Sequence, residues 1–312
     1  MSIRDESASF VTSRRESVAI VVVTHNRADL LETMLAGLGA LEPAPDAVIV
    51  VDNASSDRTP GVLAASTVPG LQVVRSEENL GGAGGFRLGV KTAYEHGSDR
   101  IWLMDDDVIP APDCLGVLLA QDADCAIAVR EDADGHLIEK AGTTFDLRDP
   151  LLPNPKRATV ESRYGTRAAM PERVEVETVA FEGFMLRRHV VETIGLPDDS
   201  YFLFYDDADY AIRARRAGFR IWAVRDAVMV RQLPLPGERD YATDKSAREL
   251  RNFFVVHFRY GENPLVRAKP YALAAVGAGL AVARGQWGEA RNVVKALRAA
   301  RGMRSAPGPH LD

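Results

Sequence analysis

Three adjacent carboxylates, Asp105-Asp106-Asp107, follow the apolar run Ile101-Trp102-Leu103-Met104. Side by side they repel one another unless a cation offsets them, and carboxylate oxygens together with substrate phosphates are the usual ligands of Mg2+ or Mn2+. A solvated acidic turn is the plain alternative. A second cluster, Phe204-Tyr205-Asp206-Asp207-Ala208-Asp209-Tyr210, sets Asp207 among aromatics where a helix begins. That position suits a general base, with Asp206 capping the helix. Asp52 follows four apolar residues directly. Its carboxylate only accepts hydrogen bonds and so matches a pyrimidine N3–H. The run Gly81-Gly82-Ala83-Gly84-Gly85 lets backbone approach a ligand, and a helix opening after it would aim its N-terminus at phosphate. The run is not a dinucleotide fingerprint, because it follows a third strand and Arg87 stands where the last glycine belongs. It also lacks the Gly-Lys-Ser/Thr of a P-loop.

These groups sit at the ends of predicted strands. Val18–Val23, Ala47–Val51, Leu71–Arg75, Arg100–Met104 and Cys125–Val129 are short apolar runs that suit buried strands. Between them, Leu30, Leu31, Met34, Leu35 and Leu38 recur at helical spacing, and further helices are expected near Asp57, over about 84–96 and from Pro112. Alternating strands and helices make a mostly parallel sheet flanked by helices. In such sheets ligands bind beyond the carboxyl ends of the strands, where Thr24, Arg27, Asp52, Asn79 and Asp105 all fall. Beyond residue 130 the pattern predicts a hairpin near His136–Leu147, a long loop to Arg173, a strand at Val174–Phe181, and a short helix at Arg188–Ile194. A helix at Asp206–Ala217 and a strand at Phe219–Val224 follow, and helices fill the stretch after Tyr241. Three segments are expected: a tail (1–16), a catalytic domain (17–240) and a basic helical region (241–312).

The 312 residues are 46% hydrophobic and 26% charged, a globular balance. Cys114 and Cys125 match no metal or redox spacing, which excludes a disulfide scaffold and fits a reducing compartment. The polar start has no apolar segment of a secretory signal. Tyr271–Ala283, about 13 residues, falls short of the roughly 20 that span a bilayer. The net charge of −6 is unevenly spread: from Lys245 to Arg304 twelve Lys/Arg face three Glu, leaving −15 elsewhere. This excludes general nucleic-acid binding and points to a local anionic partner. Arg291, Lys295 and Arg298 share one helical face near Trp287, the pattern of a membrane-surface helix. Lys245, Arg248 and Arg251 are expected to meet a lipid diphosphate.

Val-Thr-His-Asn-Arg (23–27), Val-Asp-Asn-Ala-Ser-Ser-Asp (51–57), Asn-Leu-Gly-Gly-Ala-Gly-Gly-Phe (79–86), the triple aspartate, Glu182-Gly183-Phe184 and Tyr-Asp-Asp-Ala-Asp-Tyr (205–210) occur in this order. Together they resemble the inverting glycosyltransferase family 2, which has a GT-A fold, and most of all its galactofuranosyltransferases of actinobacterial cell-wall galactan. The resemblance covers roughly residues 18–260. It implies that Thr24, Arg27, Asp52 and Asn79 hold the uridine diphosphate of UDP-galactofuranose. It assigns Asp105 and Asp107 to Mn2+ or Mg2+, Asp207 to the base, and Asp106, Asp206 and Glu182 to donor sugar or acceptor. It further implies a polyprenyl-diphosphate-linked glycan as acceptor and a cytoplasmic enzyme at the inner face of the plasma membrane, with a homo-oligomer left open. One departure stands out. Arg231 occupies the place where the family usually carries a metal-binding His, so either water or His257 completes the metal shell, or Arg231 meets the diphosphate itself. Two other activities share features of this pattern: a dTDP-rhamnose-dependent rhamnosyltransferase on a similar lipid, and a non-catalytic scaffold that binds nucleotide sugar. The paired Asp206 and Asp207 speak against the scaffold. A nucleotidyltransferase shares the sheet, but its Gly-rich, Arg-containing loop after the first strand is absent.

Overall fold

The computed structural model describes residues 15–233, 244–305 and 310–311. Its first half is built from the valine-rich runs. β1 (Val18–Thr24), β2 (Ala47–Asp52), β3 (Leu71–Arg75) and β4 (Arg100–Asp105) pair in parallel, in the spatial order β3-β2-β1-β4. The helices that return the chain are α1 (Ala28–Gly39), α2 (Thr59–Ala65) and α3 (Gly81–Glu95). Alternate residues of β1 feed two cores: Ala19, Val21 and Val23 meet Phe86 and Val90 of α3, while Ile20 and Val22 meet Leu31, Met34 and Leu38 of α1. A strand covered on both faces must be apolar at every position, which is why the sequence shows continuous runs rather than alternation.

The remaining elements are β5 (Val108–Pro110), α4 (Cys114–Ala120), β6 (Cys125–Glu131), β7 (Gly142–Phe145), β8 (Lys156–Thr159), α5 (Val160–Tyr164), β9 (Arg173–Val176), β10 (Phe184–Arg187), α6 (Arg188–Ile194), α7 (Asp206–Arg216) and β11 (Ile221–Arg231). The expected strand at Val174–Phe181 is split. β9 lies outside β11, and β10 enters the middle of the sheet antiparallel to both β4 and β6. The turn into β10 needs Gly183 at φ +114, where a Cβ would press on Met229 and Ala128. The predicted hairpin is also redrawn. The Asp132 carboxylate closes a tight turn on the backbone of Asp134 and His136, and β7 pairs instead with β8, beyond a ten-residue connection. The expected long loop therefore holds β8, α5 with its Thr159–Ser162 capping box, and a 3-10 turn. β11 is longer than expected, because a register shift between Val224 and Val228 absorbs Arg225 and Asp226 and the strand then continues to Arg231.

Helices α8 (Asp244–Tyr260), α9 (Pro264–Ala283) and α10 (Trp287–Gly302) follow. Phe254, Val255, Phe258 and Tyr260 of α8 share a core with Ala83 of α3, Phe145, Tyr201 and Ile212, and with Ala296 and Ala300 of α10. α9 has 20 residues and is long and apolar enough, by length and composition, to cross a membrane, more than the 13-residue stretch suggests.

Candidate active site

The sheet brings the strand ends level. Thr24 of β1 pairs with Asp52 of β2, and Val23 with Asp105 of β4, so the polar groups after these strands share one edge. On the β2 side, Asp52 is buried and already engaged. One oxygen accepts from the Ser55 N–H at 2.9 Å, and the other is ion-paired with Arg75, which also donates to the Ser55 carbonyl. Asn79 accepts from the Gly81 N–H at 2.8 Å and from Asn53 at 3.2 Å. Asn53 is the hub here: it accepts from Leu80 N–H and the Ser76 hydroxyl and donates to the Gly81 carbonyl. It stands next to Asp52 in the sequence, yet its role is visible only when the loop after β3 closes on it.

The glycine run does not form a phosphate cradle. It is the first turn of α3. Gly81, at φ +70, lies against the Phe202 carbonyl, which would overlap a Cβ and which accepts the Ala83 N–H at 3.1 Å. A Cβ at Gly85 or Gly89 would run into Val23 or Val21. The small residues thus bring α3 down onto β1, and protein groups take several of the N–H groups that the sequence offered to phosphate.

The triple aspartate divides. Asp106 is buried, held by the Thr24 hydroxyl at 2.8 Å and Arg27 at 2.9 Å. Thr24 at the end of β1 and Arg27 at the start of α1 therefore brace the cluster. Asp107 receives Arg231 on one oxygen at 3.1 Å, while its Oδ1 is buried with no hydrogen-bond partner. The Asp105 carboxylate forms no hydrogen bond or ion pair with another described residue. Burial, then the charges of Glu182, Asp107 and Asp106, hold its carboxyl well above the ordinary aspartate range. Glu182 sits between two arginines: Arg231 donates to it at 3.0 Å, and Arg130 pairs with it while also binding Glu139 at 2.9 and 3.0 Å. Burial raises the Glu182 carboxyl, but Arg130 and Arg231 outweigh it and leave it below its usual value. Asp105 and the free oxygen of Asp107 are the donors that a hard divalent cation takes. Arg130 and Glu139 escaped the sequence reading, although Arg130 directly follows the predicted strand Cys125–Val129.

His257 does not join this cluster. It is buried in α8, with Nδ1 2.8 Å from the Phe253 carbonyl, and burial followed by nearby Lys269 lowers its pKa to about 4. Of the basic trio expected at a lipid diphosphate, Arg248 lies over the Phe202 ring and Arg251 donates to the carbonyls of Ser200 and Tyr201. The Lys245 side chain lies outside the described residues. The exposed group Asp132, Asp134 and His136, whose side chains lie close together, belongs to the turn after β6.

The loop before α7 delivers the last carboxylates. Phe202, Phe204 and Tyr205 all have positive φ. Behind them Asp209 is fully buried and accepts from Tyr201 at 2.9 Å, Tyr260 at 2.6 Å, Arg259 at 3.2 Å and Arg213 at 2.9 Å, locking α7 to α8. Asp206 is buried. Desolvation and then the neighbouring Asp207 charge push its pKa up to about 8. Asp207 is only partly covered, accepts the Ala208 N–H at 2.6 Å and lines a cavity with Lys156, Asn154, Tyr205 and Glu249. Burial raises its pKa as well, and the Lys156 charge opposes that rise. Asp207 is thus the reachable member of the pair and Asp206 the sequestered one.

The family described as "Glycosyltransferase like family 2" matches residues 15–253. Galactofuranosyltransferase GlfT1 of Mycolicibacterium smegmatis is 33% identical over 204 residues, 65% of this chain and 67% of that protein. N-acetylglucosaminyl-diphospho-decaprenol L-rhamnosyltransferase of Mycobacterium tuberculosis is 23% identical over 262 residues, 77% and 84% of the two chains. Among solved structures, GalNAc-T7 with UDP, GalNAc and Mn2+ superposes with a TM-score of 0.59 at 13% identity, over 89% of this chain and 54% of that one, a likeness of fold. With the sheet, the acidic edge and the paired aspartates in the expected order, the chain belongs to glycosyltransferase family 2 and is a glycosyltransferase with a GT-A fold.

Proposed function

We propose that this enzyme transfers galactofuranose from UDP-galactofuranose to a polyprenyl-diphosphate-linked glycan, with inversion at the anomeric carbon. The observation that carries the chemistry is the reachable Asp207 carboxylate, which feels the same Glu182 and Arg130 charges as the Asp107 carboxylate of the acidic cluster. The choice of sugar rests on the named galactofuranosyltransferase relative. In this reading an acceptor hydroxyl attacks the anomeric carbon, the bond to UDP breaks, and Asp207 takes the hydroxyl proton. Thr24 and Arg27 order the donor side through Asp106. Asp52 and Asn79 flank the nucleobase, Asp52 meeting the pyrimidine N3–H with the lone pairs that Arg75 and Ser55 leave. Glu182 and Asp206 face the sugars, Asp206 in its protonated form.

Asp105 and Asp107 would hold Mn2+ or Mg2+, a fit supported by the unpartnered Asp107 Oδ1 and the desolvated Asp105. When bound, such an ion supplies positive charge to the departing diphosphate. Arg27 and Arg231 already bring two guanidinium groups to the same cluster and share that task. The exposed apolar face of α9 and the basic face of α10 are read as a peripheral membrane contact near a lipid-anchored acceptor. The test is an incorporation assay that offers UDP-galactofuranose and dTDP-rhamnose separately with a prenyl-diphosphate-linked glycan. Galactofuranose in the product is expected; rhamnose alone would overturn the donor assignment.

A further inference from the structure

We propose that Lys156 is a positioning residue for the transfer: it faces Asp207 across an open cavity, holds the hydroxyl-bearing ring of the acceptor there, and keeps the Asp207 carboxylate ionised. This deepens the reading of Asp207 as the base and rests on it.

The cavity is about 230 Å3, lined by Phe145, Asn154, Lys156, Tyr205, Asp207 and Glu249. That is below the roughly 300–1,000 Å3 of pockets for drug-sized ligands, so it suits one sugar ring of a glycan rather than the whole chain. Phe145 and Tyr205 supply apolar surface for the C–H face of such a ring, and Asn154, Lys156, Asp207 and Glu249 supply groups for its hydroxyls.

Lys156 and Asp207 reach this cavity from separate elements, β8 and α7. They make no direct ion pair. The Lys156 ammonium donates to the Lys140 carbonyl at 3.2 Å, and the Asp207 carboxylate accepts only the Ala208 N–H among described groups. The space between them is therefore bounded by a donor on one side and an acceptor on the other, the arrangement that a sugar hydroxyl completes. Neighbouring Lys140 is neutralised by Glu161, whereas Lys156 has no carboxylate within ion-pair distance among the described residues. Among the described residues, the charged groups that bear most on Asp207 or line its cavity can be named. Lys156 comes from β8, Arg130 from β6, Glu182 from the turn into β10, Asp206 from α7, and Glu249 lines the cavity from α8. Arg130 is committed to Glu139 and Glu182, which leaves Lys156, bonded to the Lys140 carbonyl and without a carboxylate partner, as the cation facing the base; burial lowers its basicity and the Asp207 charge opposes that.

The sign is fixed by this arrangement. A positive charge favours the ionised carboxylate, so removing it raises the Asp207 pKa, and a base that must be unprotonated then fails at higher pH than before. The test compares wild type with Lys156→Met, Lys156→Gln and Lys156→Arg, using whichever sugar donor supports wild-type turnover. For the Met and Gln variants, the acid limb of the kcat/KM profile should move up by about one pH unit. Their KM for the acceptor should rise several-fold, and UDP affinity should stay unchanged. Lys156→Arg should restore the limb. A 13C carboxyl titration, with the Asp207 resonance identified by its loss in Asp207→Asn, reads the same shift without turnover. An unshifted limb and an unshifted carboxyl titration in both neutral variants would overturn the proposal. The reading of Asp207 as base fails differently, through near-normal turnover in Asp207→Asn whatever the Lys156 variants do.

Discussion

Asn252 on α8 and Phe204 before α7 are joined by a hydrogen bond of 2.9 Å, and the same Asn252 amide also donates to the carbonyls of Leu203 and Tyr201 at 2.8 and 3.0 Å. One buried side chain thus fixes the loop that carries the paired aspartates. The loop needs that support. Left-handed backbone at a non-glycine residue costs on the order of 1–3 kcal/mol, and Phe202, Phe204 and Tyr205 all adopt it. Asn252→Ala should therefore lower stability by about 1–3 kcal/mol, since the part-buried carbonyls of Leu203 and Phe204 lose their side-chain donor while that of Tyr201 keeps Arg251. Turnover should fall while UDP binding stays close to wild type. Urea unfolding and calorimetry check the two parts, and unchanged turnover would separate α8 from catalysis.

Asp207→Asn keeps the shape of the side chain and its contact with Ala208, but removes the proton acceptor. Turnover should drop by at least about 100-fold, the usual weight of a general base, with UDP affinity within a few-fold of wild type. Single-turnover kinetics would locate the loss in the transfer step. Near-normal transfer would take Asp207 out of this role.

Asp206 makes the opposite prediction for stability. Its pKa, about 8 when folded, lies above the ordinary aspartate value near 3.9 that holds in the unfolded chain. Between those values the folded protein binds the extra proton, so stability falls as pH rises from about 4 to about 8. Asparagine mimics the neutral acid at every pH. Asp206→Asn should flatten this part of the stability curve and leave the melting temperature at pH 8 equal to or above that of wild type. A melting curve whose pH dependence is unchanged would mean that Asp206 does not hold its proton in the fold.

Arg231 and the metal make a coupled prediction. The guanidinium spans Glu182 and Asp107 with its Nε buried and unpartnered, so it is fixed in place rather than searching solvent. Chelation with EDTA should suppress activity and Mn2+ or Mg2+ should restore it, because the acidic edge and a diphosphate repel each other otherwise. Arg231→Gln should deepen the dependence on metal by removing one of the two cations that reach Asp107. Full activity of wild type in EDTA, lost in Arg231→Gln, would instead make the arginine the principal counter-charge.

Much of this site is legible in the chain because its parts follow strands. A run such as Val18–Val23 is unmistakably buried, and whatever polar residue ends it must reach the sheet edge, so Thr24, Asp52 and Asp105 could be placed together. The paired Asp206 and Asp207 were visible because acidic residues favour a helix start. What escaped is what depends on distant closure. β10 is four residues long and enters between β4 and β6 only because Gly183 allows the turn. Lys156 looked like part of a polar loop, since the partner strand of β8 lies across a ten-residue connection. The glycine run misled for a physical reason: small residues serve close packing as well as ligand approach, and only the position of Val21, Val23 and Phe202 decides between them.

The C-terminal helices give the last prediction. On α9, Val266, Pro270, Ala274 and Ala281 face inward, while Lys269 is covered separately, its ammonium bonding the Leu152 carbonyl. Leu265, Ala272, Val276, Leu280 and Ala283 are exposed on the other side, spaced along one helical face. A helix with one face packed on protein and a Lys ammonium in its second turn lies along a surface more readily than it spans one. Trp287, Arg291, Lys295 and Arg298 are exposed on α10, the next helix in the chain. Deleting α10 would be a poor test, since Ala296 and Ala300 fill the core shared with α8. The exposed charges can be changed without opening that core. The triple change Arg291→Gln, Lys295→Gln, Arg298→Gln should weaken sedimentation with anionic vesicles by about 1 kcal/mol per charge at low salt. Leu280→Ser should weaken it at all salt concentrations, because its contribution is burial rather than charge. UDP affinity should not change in either variant. Vesicle binding equal to wild type in both would mean that this face serves packing or assembly and that the lipid acceptor is met elsewhere.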